Sequence, residues 1–137
     1  MAEQTFHLSI LTPYGHYFDG EVEFLEVHSD KYNLGILPGH APLISTVAIS
    51  KMIIKANGRE MKYAVGGGVI TVNKEKTTLV LNSCEHADEI DIERAKEAKQ
   101  RAEERLSGQA NENAVDVNRA KIALMKAINR IEVGSKD

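Results

Sequence analysis

Hydrophobic and polar positions alternate through the first part of the chain, the period of a strand with one face buried. Phe6, Leu8 and Ile10 fall on one side, His7 and Ser9 on the other. Thr12-Pro13-Tyr14-Gly15 is a predicted turn, because Pro presets φ and Gly tolerates positive φ. Val22, Phe24 and the run Leu25 to Val27 predict the next paired strands. Met52 to Ala56, Asn57-Gly58 and Met61 to Val65 form the strongest local signal, since Asn-Gly supplies the two left-handed residues of a tight hairpin turn. Val69 to Val72 and Thr77 to Leu81 close the series. Short strands at this spacing, with no helix between them, predict two stacked antiparallel sheets.

Near Ala87 the period changes. All five His and all three Pro lie before residue 88, and charged residues become denser after it. Ala95, Ala98, Ala102 and Leu106 recur at steps of three and four, as do Val117, Ala120, Leu124, Ala127 and Ile131. Each set is one apolar stripe of a helix. Asp88 or Asp91 can cap the first helix, Ser107-Gly108 ends it, and Asn113 or Asp116 can open the second. A connection of about eight residues favours antiparallel neighbours. The predicted fold is α+β: an antiparallel β-sandwich over residues 1–87, then an antiparallel α-helical hairpin over residues 88–137. The Ala-rich stripes let the helices approach closely but bury little area. At ~25 cal/mol per Å² of apolar surface, Ala contributes far less than Leu. Such a hairpin suits a conformational switch or a plain appendage, and periodicity does not choose between them.

Composition narrows the function. With 42% hydrophobic residues among 137, a packed core is expected and global disorder is not. The net charge of −3 argues against nucleic acid, since no basic surplus exists to neutralise phosphates. No apolar run approaches the ~20 residues of a spanning helix, and the N-terminus lacks signal-peptide character, so a soluble, cytosolic chain without direct membrane insertion is expected. Cys84 is the single cysteine and reads as a buried strand residue.

Candidate chemistry is sparse. Gly66-Gly67-Gly68 lacks a following Lys-Ser/Thr and a helix, so a bulge or a close sheet contact is favoured over a phosphate loop. His7, His16, His28, His40 and His86 share no ligand spacing, so no metal site is expected, and no nucleophile motif is present, so neither is catalysis. Leu34-Gly35-Ile36-Leu37-Pro38-Gly39-His40-Ala41-Pro42 cannot sit mid-sheet and predicts a stiff loop at a sheet edge, serving either a partner or a buried corner. Arg94 and Arg101 share a face of the first helix, and Lys126 and Arg130 a face of the second. If those faces meet, four cations converge as a triphosphate would require; otherwise they form a solvated charged surface.

These residues resemble a known family, the epsilon subunits of bacterial F-type ATP synthases. Leu34 to Pro42 looks like the family's signature loop, Ala64-Val65-Gly66-Gly67-Gly68-Val69 like its glycine-containing strand, and Ile90-Asp91-Ile92-Glu93-Arg94-Ala95 like the opening of its first helix. Ala123-Leu124 through Asn129-Arg130 is similar to its second helix, and the match runs from about Phe6 to Val133. The resemblance implies a β-sandwich of about ten strands and a non-catalytic regulatory subunit of the central stalk, peripheral on the cytoplasmic face of the cell membrane. It implies a gamma subunit and a membrane ring of c subunits as partners of the sandwich, with Asn33, Leu37, Pro38, Gly39, His40, Ala41 and Pro42 at the ring-facing junction. Asn33 stands where the family often has a carboxylate. It also implies a hairpin that is either compact or extended into the alpha/beta catalytic hexamer, where it inhibits hydrolysis. ATP would bind the compact state as a regulatory ligand through Glu85, Ile90, Asp91, Arg94, Ala95, Arg101, Lys126 and Arg130. Lys126 falls where tighter-binding members have Arg, and a point charge replaces a planar fork there. The competing readings are a free nucleotide sensor and a small metal-dependent enzyme.

Overall fold

Asn57 and Gly58 both adopt positive φ, 55° and 73°, and this turn folds β5 (Leu43–Ala56) back onto β6 (Arg59–Val72). The resulting ribbon of two 14-residue strands is the frame of the first unit. The computed structural model describes residues 4–108 and 114–135, and the chain divides into two compact units, Met1–His86 and Ala87–Asp137.

Six shorter strands complete the first unit: β1 (Phe6–Thr12), β2 (Gly15–Val22), β3 (Phe24–His28), β4 (Asn33–Ile36), β7 (Thr77–Leu81) and β8 (Cys84–His86). Their pairing order is β2-β1-β7-β6-β5-β3-β4, with β8 also on β6. The ribbon serves both layers. Near Val72, β6 pairs with β7 (Ile70 opposite Leu79), while farther back it pairs with β8 (Ala64 opposite Glu85) and β5 pairs with β3 (Leu25 opposite Ile54). Leu8, Ile10, Leu25, Val27, Met52, Ile54, Ile70 and Leu79 fill the core between the layers. Among the described residues, eight strands stand where the resemblance implies about ten, because each long strand runs unbroken through both layers. One pairing is not antiparallel: β1 and β7 run parallel (Ile10 opposite Leu79), since the whole of β2 to β6 lies between them and no hairpin constrains their direction.

The predicted Pro13-Tyr14 turn connects β1 to β2, with the Tyr14 N–H donating to the Thr12 hydroxyl at 3.2 Å. Leu34 to Ile36, expected within a loop, belong instead to β4. This strand sits at the sheet edge, where its outer hydrogen-bonding side needs no partner strand, so the loop begins only at Leu37.

Gly66-Gly67-Gly68 is a close-contact kink. Gly67 has φ +92°, its carbonyl accepts from the Asn82 N–H at 2.8 Å, and the Gly66 N–H donates to the Ser83 carbonyl at 3.0 Å. A Cβ at Gly68 would collide with the Val80 carbonyl oxygen of β7, and one at Gly66 with the Ser83 hydroxyl.

The second unit opens with a short 3-10 turn, Ala87–Glu89, followed by α1 (Ile92–Ser107) and α2 (Ala114–Gly134). Asp91 is the N-cap of α1, its carboxylate accepting from the Arg94 backbone N–H at 3.1 Å. Gly108 closes the helix, its N–H donating to the Glu104 carbonyl at 3.0 Å. Of the two candidate caps for α2, Asp116 lies inside the first turn and Asn113 lies outside the described residues. Ala95 and Ala102 of α1 and Ala120 and Ala127 of α2 are buried, and the other residues of the predicted stripes are half-buried, so the stripes form the seam; Val133, outside them, is buried as well. A Cβ on Gly134 would lie 2.6 Å from the Ile92 side chain and 3.1 Å from Ile90, which brings the end of α2 to the start of α1 and makes the pair antiparallel.

Replacing Gly68 by Ala should destabilise the sandwich by at least ~2 kcal/mol in urea unfolding, because the new methyl meets backbone that cannot rotate away. An unchanged midpoint would mean that β6 and β7 do not approach as described.

Candidate functional site

Two groups of residues carry the chemistry that the sequence offers, one on each unit. On the helical unit, the 100° step per residue sets Arg94 and Arg101 about 100° to one side of the Ala95–Ala102 seam. Lys126 and Arg130 fall roughly 60–120° to one side of the Ala120–Ala127 seam. In antiparallel helices those two sides coincide. Because Gly134 lies beside Ile90 and Ile92, Arg130 stands near the level of Arg94, and Lys126 lies between the levels of Arg94 and Arg101. The four cations therefore share one face of the hairpin. Arg94 and Arg101 are exposed, while Lys126 and Arg130 are half-buried. Asp91 is engaged as the helix cap, Ala95 is fully buried in the seam, and Ile90 is buried against Gly134. Glu85 is on β8 of the sandwich unit, opposite Ala64.

On the sandwich unit, the Pro/Gly loop begins with Leu37, which is 58% exposed, and turns through Gly39 at φ +81°. The His40 N–H donates to the Leu37 carbonyl at 3.1 Å, and His40 Nδ1 bonds the Ala41 carbonyl at 2.6 Å. Pro38 is half-buried, and Ala41 and Pro42 are exposed, so the loop is a stiff surface feature and not a buried corner. Asn33 lies on β4 directly opposite His28, and its side-chain oxygen meets His28 Nδ1 at 2.5 Å. Glu26 approaches the other ring nitrogen of His28 at 3.3 Å.

Beside this loop lies a cavity of about 370 Å³ that sequence reasoning missed. Its walls come from β1 and β2 (Phe6, His7, Glu21), the loop (Leu37, His40) and the β6–β7 turn (Lys74, Lys76). These segments are distant along the chain, and only the sheet order brings them together. Three apolar side chains also emerge on the outer face of the sheet, among threonines. Val69 and Val80 are cross-strand neighbours, 43% and 53% exposed, and Ile44 on β5 is 75% exposed. Among the described residues, no cluster of three or more His, Cys, Asp or Glu could hold a metal, and no helix is long and apolar enough to cross a membrane.

A β-sandwich followed by a close-seamed helical hairpin, with its distinctive residues on surfaces and loops, defines the class of chain. Family models described as "ATP synthase, Delta/Epsilon chain, beta-sandwich domain" and "ATP synthase, Delta/Epsilon chain, long alpha-helix domain" match residues 5–87 and 88–134. The chain belongs to the ATP synthase delta/epsilon chain family. It is 43% identical over 132 residues to the ATP synthase epsilon chain of Bacillus cytotoxicus, covering 96% of this chain and 98% of that one. It is likewise 43% identical over 129 residues to the epsilon chain of Desulforamulus reducens, covering 94% and 96%. The fold also matches a chain in the Euglena gracilis mitochondrial ATP synthase OSCP/F1/c-ring structure, with TM-score 0.78, 20% identity and coverage of 91% and 78%. A chain in the Tetrahymena thermophila mitochondrial ATP synthase central stalk/c-ring structure matches with TM-score 0.62, 14% identity and coverage of 98% and 100%.

Proposed function

We propose that this chain serves as the epsilon subunit in the central stalk of a bacterial proton-translocating F-type ATP synthase, a non-catalytic part of the rotor held peripherally at the cytoplasmic face of the membrane. The observation that carries the reading is the exposure of Ile44 and of the cross-strand pair Val69 and Val80 on one face of the sandwich. Large apolar side chains left exposed together on one sheet face suit a docking surface, and the gamma subunit is its occupant in this reading. The stiff Leu37–Pro42 loop meets the ring of c subunits, where its fixed backbone keeps the ordering cost of contact low.

The hairpin then acts as the brake. Its seam of small residues gives up little buried area when it opens, so compact and extended arrangements are close in free energy. The extended hairpin enters the alpha/beta hexamer and blocks rotation in the hydrolysis direction. The shared cationic face of Arg94, Arg101, Lys126 and Arg130 supports a regulatory ATP site on the compact state. A ligand confined to one state shifts the balance by RT ln(1 + [L]/Kd): about 0.4 kcal/mol when ATP equals its Kd, about 4 kcal/mol at a thousandfold excess.

Added to a hexamer with gamma, the full chain should slow ATP hydrolysis several-fold, whereas residues 1–87 should bind without slowing it. Equal inhibition by both would remove the hairpin from the mechanism. Calorimetry tests the ATP site separately. Arg94→Ala keeps the Asp91 cap, which uses the Arg94 backbone, and should weaken ATP binding at least about tenfold, the loss of one charge-assisted contact. An unchanged Kd would exclude Arg94 from the site.

A further inference from the structure

His7 on β1 faces two carboxylates of β2. Glu21 is its direct cross-strand neighbour, and Asp19 stands two residues along the same strand face. Glu21 Oε2 lies 3.0 Å from Nδ1, and Asp19 Oδ1 contacts Nε2. Both ring nitrogens therefore point at carboxylate oxygens. A neutral imidazole has only one N–H, so its other nitrogen would present a lone pair to a carboxylate. Only the imidazolium donates to both.

We propose that His7, Asp19 and Glu21 form a proton-operated latch that fastens the end of the β2 edge strand and, with it, one wall of the cavity beside the Leu37–Pro42 loop. Its position makes the latch consequential. β2 ends the sheet, so it hydrogen-bonds to β1 alone, and that ladder is already interrupted by an irregularity between Ile10 and Leu11. Asp19 and Glu21 repel each other once the cation between them is gone. The Thr5 hydroxyl still donates to Glu21 at 2.9 Å, but it is neutral and cannot replace the charge. The other titratable and charged groups lining the same cavity are His40 from the loop and Lys74, Glu75 and Lys76 from the β6–β7 turn. Loss of the His7 proton therefore also makes the β1–β2 wall more negative opposite two lysines.

The hydrogen bonds from Glu21, then Asp19, hold the His7 pKa above its usual value of 6.5. With the folded pKa raised, the latch is fully in force below the unfolded value and is lost as pH rises through the folded one.

The test uses the full chain. The His7 ring is titrated by NMR, and protection factors of the β2 amides from Phe18 to Val22 that bond β1 are measured from pH 6 to 9, each corrected for intrinsic exchange. The His7 midpoint should lie higher than in an Asp19→Asn/Glu21→Gln variant, and protection should fall about threefold or more across the range. In His7→Gln, which does not titrate, protection should stay flat with pH. Equal His7 midpoints, or the same pH response in His7→Gln, would overturn the latch.

Discussion

The sandwich depends on a backbone approach that no side chain permits. At Gly66, Gly67 and Gly68, β6 leaves its pairing with β8 and takes up its pairing with β7, while the Asn82-Ser83 link between those two strands bonds directly to the glycines. A Cβ at Gly66 or Gly68 would stand where Ser83 or the Val80 carbonyl already is. Positive φ at Gly67 supplies the change of direction. The kink lets one ribbon, β5–β6, belong to two layers, and this placement puts β1, β2 and the β6–β7 turn around the cavity next to the Pro/Gly loop.

The helical unit is built on a different balance. Its seam is Ala95, Ala102, Ala120 and Ala127, and it closes at the Gly134 end on Ile90 and Ile92. Small residues allow close approach but remove little apolar surface from water, whereas the sandwich buries Leu, Ile and Met side chains completely. The same antiparallel arrangement that makes the seam places Arg94, Arg101, Lys126 and Arg130 on one face.

Local rules made much of this legible in the sequence. Pro13-Tyr14-Gly15 and Asn57-Gly58 marked their turns because their backbone preferences are intrinsic, and the alanine spacing marked both helices because one face of each is buried. Other elements carried no such signal. Gly15 to Gly20 in β2 is largely exposed, so it shows no clean alternation, and the early half of β5 is disguised by exposed Ile44. Leu34 to Ile36 was hidden by the Pro and Gly around it, although edge position makes a short strand there tolerable. The parallel β1–β7 pair and the cavity depend on contacts between distant segments, which no local pattern encodes. Asp19 and Glu21 share a strand face by their spacing alone, yet only the register sets them opposite His7.

A seam of alanines should let the hairpin open more easily than the sandwich unfolds. Native-state hydrogen exchange tests it most directly, by comparing amides of β5 and β6 with those of α1 and α2 under increasing denaturant. The helical amides should exchange through openings of lower free energy and weak denaturant dependence, while the core strands should exchange only on global unfolding. A single opening free energy shared by both units would contradict it.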